Sequence, residues 1–301
     1  MTRAAIVPLE SSRLFNYVSP VRCYLCEAEN TYDAELCRVC AAPMALSRQA
    51  AAQKAPPRMV ALLGPSAVGK TVYLGMLMDM LSQQPERWQI LARGAFSVTL
   101  QQTTAAALAR CQFPDKTPSE PERWNWVHCE VGLKRPRRAL DLVVPDMAGE
   151  ALLQEVDHPY SFRVIHAFLQ KCAGAMILVD AERLSCGNRE QDHFSMKLAT
   201  YLGEVDDDAR RGWRRKPVAV IFTKTDQCPA CAADPEGFAK ARAPGLWQQC
   251  RQRFRRSAFF AASVVGGSMV VESDEGRIAV PLRIEPRGVV EPFRWLLEQL
   301  R

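Results

Sequence analysis

The chain has 301 residues, 48% of them hydrophobic and 24% charged, which is enough to bury a sizeable core without disulfides. The formal net charge of +6 is short of the strongly basic balance of nucleic-acid-binding domains, so we do not expect a nucleic-acid partner. No apolar run reaches the roughly 18 residues of a membrane span, and the N-terminus lacks the apolar region of a signal peptide. We therefore expect a cytoplasmic protein whose 11 cysteines are thiols or metal ligands.

The first element in chain order is a group of four cysteines with the spacing C-x2-C-x10-C-x2-C: Cys23, Cys26, Cys37 and Cys40. Two close pairs of thiolates suit tetrahedral Zn²⁺. So short a segment has almost no core of its own, so metal binding would supply most of its folding free energy, on the order of 10 kcal/mol. We predict a zinc-ribbon-like module over residues 1–45 that docks a partner or the rest of the chain. The small, polar, Pro-terminated stretch after it predicts a linker over residues 46–58.

The stretch "GPSAVGKT" fits the phosphate-loop pattern GxxxxGK[ST], with a strand ("MVALL") before it and a helix after it. Glycines let the backbone take conformations that a side chain would block, so successive N–H groups can point at an anion. A lysine then reaches the β- and γ-phosphates, and a hydroxyl can ligate Mg²⁺. The predicted nucleotide-binding residues of the loop are Gly64, Ser66, Gly69, Lys70 and Thr71.

Further apolar runs follow the phosphate loop, separated by helical stretches: "WVHCEV", "ALDLVVPD", "AGAMILVD", "PVAVIFTKTD" and "AFFAAS". This alternation predicts an α/β domain over residues 59–301, with a mostly parallel sheet covered by helices on both faces. Residues 264–288 predict a hairpin, and "EPFRWLLEQL" predicts a closing amphipathic helix.

Polar residues end several of these strands. Asp146 can hold Mg²⁺ through water, and the N–H of Gly149 can reach a γ-phosphate. Asp226 can accept hydrogen bonds from N1–H and the 2-amino group of guanine, a donor pair that adenine lacks, while the stem of Lys224 lies along the base. The backbone of Ala262 and Ser263 can meet the guanine O6. Because these residues follow strands of one open sheet, we expect them to line one crevice.

In this order, "GPSAVGKT", "DMAG", "TKTD" and "AAS" resemble the first, third, fourth and fifth motifs of the Ras-like, translation-factor-related P-loop GTPases. The long segment before "WVHCEV" and the insert before the final helix resemble the bacterial double-GTPase branch. That resemblance implies binding of GTP and GDP with Mg²⁺, a protein effector or activating partner, and a place in bacterial conflict or defence systems.

The resemblance also implies further residues. A switch-loop threonine should ligate Mg²⁺ in the triphosphate state, and we assign Thr117, with Thr103 and Thr104 as alternatives on a predicted helix. Glu150 stands where relatives often have a glutamine that orients water, so we expect slow hydrolysis that depends on a partner's arginine. Thr223 replaces an asparagine that braces the phosphate loop, which predicts weaker binding without a change of base.

The sequence alone leaves the exact function, an arginine finger and a second cysteine pair unassigned. A scaffold that binds nucleotide without hydrolysis, and a P-loop ATPase or kinase with an accidental "TKTD", are the alternative functions. Arg163 and Arg183 are candidates for an arginine finger within the chain, although arginines in such stretches more often lie on a solvated helix face. One further CxxC pair, Cys228 and Cys231, is too weak a pattern to assign a metal.

Overall fold

A computed structural model describes residues 20–52, 57–84, 86, 88–93, 95–133, 138–205, 212–273 and 276–300. The strands are β1 Val21–Arg22, β2 Glu29–Asn30, β3 Arg58–Leu63, β4 Trp88–Ala92, β5 Asn125–Leu133, β6 Arg138–Asp146, β7 Cys172–Asp180, β8 Val218–Thr223, β9 Ser257–Ala261, β10 Ser263–Val265, β11 Ser268–Ser273, β12 Gly276–Pro281 and β13 Ile284–Arg287. The helices are α1 Met44–Ala51, α2 Lys70–Ser82, α3 Ala95–Ala109, α4 Gly149–Asp157, α5 Arg163–Lys171, α6 Ala181–Ser185, α7 Arg189–Val205, α8 Pro229–Ala233, α9 Pro235–Arg242, α10 Pro244–Arg253 and α11 Val290–Gln299.

Seven strands form one sheet in the order β4-β5-β6-β3-β7-β8-β9. Strands β6, β3, β7, β8 and β9 run parallel, whereas β4 and β5 continue the sheet antiparallel. Side chains alternate along β3, so Met59 and Ala61 enter one hydrophobic core and Val60 and Leu62 enter the other. Helices α4, α5 and α7 cover the first face, and α2 and α11 cover the second. The predicted fold, a mostly parallel sheet with helices on both faces, is confirmed.

The cysteine-rich segment packs on the first face of the sheet. Strands β1 and β2 pair antiparallel, and Cys23, Leu25 and Met44 belong to the same core as β3 and α5. Tyr24 donates its hydroxyl proton to the carbonyl of Pro57 at 2.6 Å. The segment is therefore held against the sheet rather than separate from it.

The predicted linker of residues 46–58 needs a correction in its first part, because residues 46–51 belong to helix α1. Its buried residues Met44, Leu46, Ser47 and Ala50 recur at helical spacing, and alanine has the highest helix propensity. The small-residue composition therefore suits a packed helix as well as a linker. Residues 1–19 of the predicted module, where the absence of a signal peptide was also expected, and residues 53–56 lie outside the described residues.

The segment between β9 and the last helix forms the predicted hairpin, in which β11 pairs antiparallel with β12. Strands β10 and β13 pair at its base. The stretch 114–123 is irregular as predicted, apart from a short 3-10 turn at Pro121–Arg123. Within the described part of the chain, no helix has the length and apolarity needed to cross a membrane.

Candidate nucleotide-binding site

The phosphate loop joins β3 to the N-terminus of α2. Gly69 precedes the helix in a left-handed conformation with φ 94°, which glycine adopts without strain. A side chain at Gly64 would place its Cβ 2.8 Å from the carbonyl oxygen of Leu178. The ammonium group of Lys70 donates to the carbonyls of Gly64 and Pro65 at 2.9 and 3.0 Å. The loop therefore curls around its own lysine at a helix N-terminus, an arrangement that favours an anion.

Lys70 is buried, and this burial lowers the pKa of its ammonium group. Burial lowers the pKa of Lys70 to about 8, although the negative charges of Asp146 and Glu150 act in the opposite direction. A buried ammonium with two neutral carbonyl partners gains strongly from a bound anion.

Three oxygen-bearing side chains meet beside the lysine. The hydroxyl groups of Thr71 and Thr117 lie 3.1 Å apart, and they donate to Oδ2 of Asp146 at 2.9 and 3.0 Å. The other carboxylate oxygen, Oδ1, is buried and has no hydrogen-bond partner within the described chain. Burial raises the pKa of Asp146, whereas the two hydroxyl groups and Lys70 lower it. Hard oxygen donors with one orphaned carboxylate oxygen fit a divalent cation such as Mg²⁺.

The structure places the alternative threonines elsewhere. The hydroxyl of Thr103 donates to the carbonyls of Thr99 and Leu100 on its own helix, as expected for a helical threonine. Thr104 is buried, and a Cβ on Gly75 would lie 2.2 Å from its hydroxyl oxygen. Of the three candidates, Thr117 is the one beside Thr71 and Asp146.

Gly149 begins α4 directly against the phosphate loop. A Cβ at this position would lie 2.2 Å from the backbone nitrogen of Ser66 and 2.4 Å from the carbonyl carbon of Pro65. The next residue, Glu150, accepts a hydrogen bond from the hydroxyl of Ser66 at 2.6 Å. Partial burial alone would raise the pKa of Glu150. The hydrogen bond from Ser66 and the charges of Lys116 and Lys70 together have a larger effect, so the pKa of Glu150 is below its usual range. A carboxylate therefore stands next to the loop.

Two residues after β8 connect the strand to the phosphate loop. The hydroxyl of Thr223 donates to the carbonyl of Val68 at 2.9 Å, which partly replaces the bracing expected of an asparagine. Lys224 has a left-handed backbone with φ 57°, and its ammonium group donates to Oδ2 of Asp180 at 2.6 Å. The other oxygen of Asp180 accepts from the N–H of Arg183 at 3.0 Å. Asp180 is 1% exposed, so a buried carboxylate fixes the direction of Lys224.

The predicted base-reading residues also lie together. Oδ1 of Asp226 accepts a hydrogen bond from the hydroxyl of Ser263 at 2.9 Å. The N–H of Ala262 donates to the carbonyl of Phe222, which fixes the backbone that leads into Ser263. Asp226 is half-buried and lines the cavity described below, and its second oxygen, Oδ2, accepts a hydrogen bond from the side-chain amide of Gln227 at 2.8 Å.

One cavity of about 570 Å³ joins these groups, a volume within the usual range of small-molecule sites. Most predicted site residues line it: Ser66, Gly69, Lys70, Thr71, Thr117, Gly149, Glu150, Thr223, Lys224, Asp226, Ala262 and Ser263. Gly64 and Asp146 lie just behind the wall, in contact with Lys70 and Thr71. Arg183 lines the cavity, whereas Arg163 is exposed on α5 away from it.

The sequence interpretation missed Asp180 and three hairpin residues on the cavity wall, Ser268, Val270 and Ala279. The apolar run before Asp180 ends in an acidic residue, as the runs before Asp146 and Asp226 do. That shared pattern is the signal that could have found Asp180.

The four N-terminal cysteines form a separate site. Their sulfur atoms lie within 4.8 Å of one another, with 3.7 Å between Cys23 and Cys40 and 3.5 Å between Cys26 and Cys37. Tetrahedral zinc with Zn–S bonds of about 2.3 Å requires sulfur separations of about 3.8 Å. A hydrogen bond from Cys40 lowers the pKa of Cys23 to about 5, which favours a thiolate. The four-cysteine set fits zinc.

The surroundings of the cysteines also suit a metal. The N–H groups of Glu27 and Ala41, both in left-handed conformations, donate to the carbonyls of Cys23 and Cys37, so the two CxxC turns have the same hydrogen bond. The buried side chain of Asn30 donates to the sulfur of Cys37 at 3.6 Å. Such outer hydrogen bonds orient ligands in metal sites.

The second CxxC pair behaves differently. Cys228 and Cys231 are buried just after the 3-10 turn Thr225–Gln227, and the sulfur of Cys228 lies 3.0 Å from the hydroxyl of Ser185. Throughout the described part of the chain, the N-terminal four cysteines are the only group in which three or more His, Cys, Asp or Glu side chains come together closely enough to hold a metal ion.

A family model described as Double-GTPase 2 matches residues 58–279. No curated protein matches the chain. Among solved structures, nucleolar GTP-binding protein 1 from Plasmodium falciparum is 12% identical with a TM-score of 0.42, over 81% of this chain and 86% of that one. A small COPII coat GTPase from Encephalitozoon cuniculi in complex with GDP is 14% identical with a TM-score of 0.38, over 81% and 80%. The GTP-bound GTPase-like domain of Ski7 from S. cerevisiae is 14% identical with a TM-score of 0.41, over 81% and 50%.

Proposed function

The chain belongs to the Double-GTPase 2 family, and on that basis we propose that it is a guanine-nucleotide switch that hydrolyses GTP slowly with Mg²⁺. The observation that carries the proposal is the meeting of Thr71, Thr117 and Asp146 beside a buried lysine. These residues come from three separate parts of the chain, and the buried Oδ1 of Asp146, which has no hydrogen-bond partner among the described residues, is suited to bind a cation. Their arrangement is suited to a nucleoside triphosphate with its metal ion.

The phosphates would bind the N–H groups of residues 64–71 and the ammonium group of Lys70. Thr71, Thr117 and Asp146 would hold Mg²⁺, directly or through water, and the ion would neutralise charge on the β- and γ-phosphates. Thr117 reaches this corner from an irregular loop, and we infer that a bound γ-phosphate with Mg²⁺ stabilises this position of the loop. This dependence is the basis of the proposed switch.

Guanine selection is assigned to Asp226. Its carboxylate is anchored through one oxygen by Ser263, and it faces the same cavity as Lys224. A carboxylate matches the N1–H and 2-amino donors of guanine and leaves the N1 acceptor of adenine opposite another acceptor. This mismatch disfavours ATP, the ligand of the alternative ATPase function.

Slow hydrolysis follows from Glu150. Its carboxylate lies beside the phosphate loop, where it would repel the γ-phosphate, and one of its two oxygens, Oε1, accepts the hydrogen bond from Ser66. We therefore expect Glu150→Gln to raise single-turnover hydrolysis about tenfold, since the amide removes the repulsion and can still orient water. A lower rate in the variant would instead assign Glu150 the role of general base.

We propose that the N-terminal module, residues 1–45 in our division of the chain, binds one Zn²⁺ and docks a partner protein. The GTPase domain itself spans residues 59–301. The contacts of the module with that domain support a fixed position: the ammonium of Lys171 donates to the carbonyl of Tyr24 and to Glu27, each at 2.8 Å. Beyond residue 45, Gln49 of α1, the helix that continues from the module, contacts His128 on β5 at 2.8 Å. A role in bacterial conflict or defence rests on the family branch alone.

The second candidate function is a nucleotide-binding scaffold without turnover, and Glu150 in place of a catalytic glutamine is the observation that favours it. Two measurements separate the possibilities. Nucleotide released from the purified protein by denaturation identifies the base, and single-turnover incubation with GTP and Mg²⁺ identifies hydrolysis. We expect guanine nucleotide and slow phosphate release. Guanine nucleotide without phosphate release would favour the scaffold, and adenine nucleotide would favour an ATPase.

A further inference from the structure

The β11–β12 hairpin reaches the nucleotide cavity. Three of its residues, Ser268, Val270 and Ala279, line the same cavity as the phosphate loop and the base-reading residues. The hairpin follows β10, whose first residue, Ser263, donates to Asp226. It therefore stands at the end of the cavity that would hold the nucleoside.

The hairpin presents one of its two faces to this cavity. Side chains alternate along a strand, so Ser268 and Val270 point to the same side, and Val270 pairs directly with Ala279 on β12. The intervening Met269 is paired with Val280 on the other side, and neither of these two residues lines the cavity. The inner face is small and uncharged at these positions, which suits contact with a ribose or purine.

The base of the hairpin is held in place. Val265, 8% exposed, packs with Met76 of α2 and Leu108 of α3. Backbone hydrogen bonds from Gly266 to Arg283 and from Leu282 to Gly267 close the strands above it. In contrast, Val270 is 54% exposed and lines the cavity, so it has apolar surface that a ligand can cover.

We propose that the inner face of the hairpin, formed by Ser268, Val270 and Ala279, binds the nucleoside part of the bound nucleotide and slows its release. The proposal rests on the proposed guanine-nucleotide function and adds a third wall to that site. Contact with the ligand buries the side chain of Val270, and that contact must be lost before the nucleotide leaves.

The test measures dissociation of a fluorescent GDP analogue, chased with excess GDP, from the full-length protein with Mg²⁺ present. We expect Val270→Ala to speed release about fivefold, since two methyl groups lose their contact with the ligand. Met269→Ala is the matched control, because Met269 is 48% exposed, neighbours Val270 and faces away from the cavity. Its release rate should equal that of the original protein.

A second variant tests the other strand of the same face. Ala279→Glu places a charged side chain into the cavity, so it should also speed release, and its thermal unfolding midpoint without nucleotide should stay unchanged. Equal release rates in the original protein, Val270→Ala and Met269→Ala would overturn the hairpin proposal alone. Equal acceleration by both alanine variants would overturn it too. If the original protein binds no GDP analogue, the proposed function fails as well.

Discussion

Gly149 gives the sharpest test of how the start of α4 meets the phosphate loop. A Cβ at this position would lie 2.2 Å from the backbone nitrogen of Ser66, whereas ordinary Cβ contacts begin at about 3.4 Å. In Gly149→Ala the start of α4 must therefore retreat by about 1.2 Å, because the obstructing atoms are backbone and cannot rotate away. The helix itself should persist, since alanine favours a helix by up to about 1 kcal/mol relative to glycine.

If residue 149 binds the γ-phosphate as proposed, this retreat moves its N–H away from that phosphate, and it also breaks the hydrogen bond between Ser66 and Glu150. A hydrogen bond to a charged group contributes about 1.5–3 kcal/mol, so affinity for a non-hydrolysable GTP analogue should fall tenfold or more. Affinity for GDP should change little, because GDP lacks the γ-phosphate. Isothermal titration calorimetry with both ligands measures the difference.

The control variant is Gly267→Ala, whose Cβ would meet only Leu282 Cδ1 at 3.9 Å. It should bind both ligands like the original protein. Equal loss of GDP and GTP-analogue affinity in Gly149→Ala would show that the substitution damages the whole site. Unchanged affinity for both ligands would refute the proposed contact between Gly149 and the γ-phosphate.

Three further predictions concern the base, the lysine and the cysteines. Asp226→Asn should weaken GDP binding about 100-fold, because an amide donor then faces the guanine donors, and competition with ATP should show that guanine preference is lost. Burial lowers the pKa of Lys70 to about 8 from 10.5, so between these pH values the unfolded chain binds a proton that the folded protein has lost. The free energy of unfolding should therefore rise by about 3 kcal/mol from pH 8 to pH 10.5, relative to the Lys70→Met variant. Denaturant unfolding of nucleotide-free protein measures this difference. Parallel pH dependences of the two proteins would contradict the lowered pKa of Lys70. Cys23→Ser should lower the zinc content from about one ion per chain to near zero by elemental analysis, while Cys186→Ser, an exposed thiol, should retain it.

The parts of the site that the sequence predicts best are those defined by short spacing. The phosphate loop and the strand-end motifs each need only a few adjacent residues, and the parallel sheet brings their ends to one edge. The position of Thr117 beside Thr71 depends on the path of a long loop. Its assignment came from family resemblance, and its role stays a prediction that the geometry supports.

Other features depend on contacts that no local pattern contains. Asp180 lies beside Thr223 because β7 and β8 are neighbours in the sheet, and the register between them brings its carboxylate to Lys224. Strand pairing places Val270 opposite Ala279, but that this face of the hairpin lines the cavity depends on the tertiary position of the hairpin. Helix α1 was misread as linker because its small residues gain their helical preference from packing against the sheet as well as from composition.

The central claim is that one cavity gathers a buried lysine, an oxygen cluster for a divalent cation and a guanine-reading carboxylate around a single nucleotide. Titration of nucleotide-free protein with GDP and with ADP, each with and without Mg²⁺, tests this claim most directly. We predict one GDP per chain, tighter binding when Mg²⁺ is present, and ADP binding at least about 100-fold weaker. Equal affinities for GDP and ADP, or no binding of either by folded protein, would contradict it.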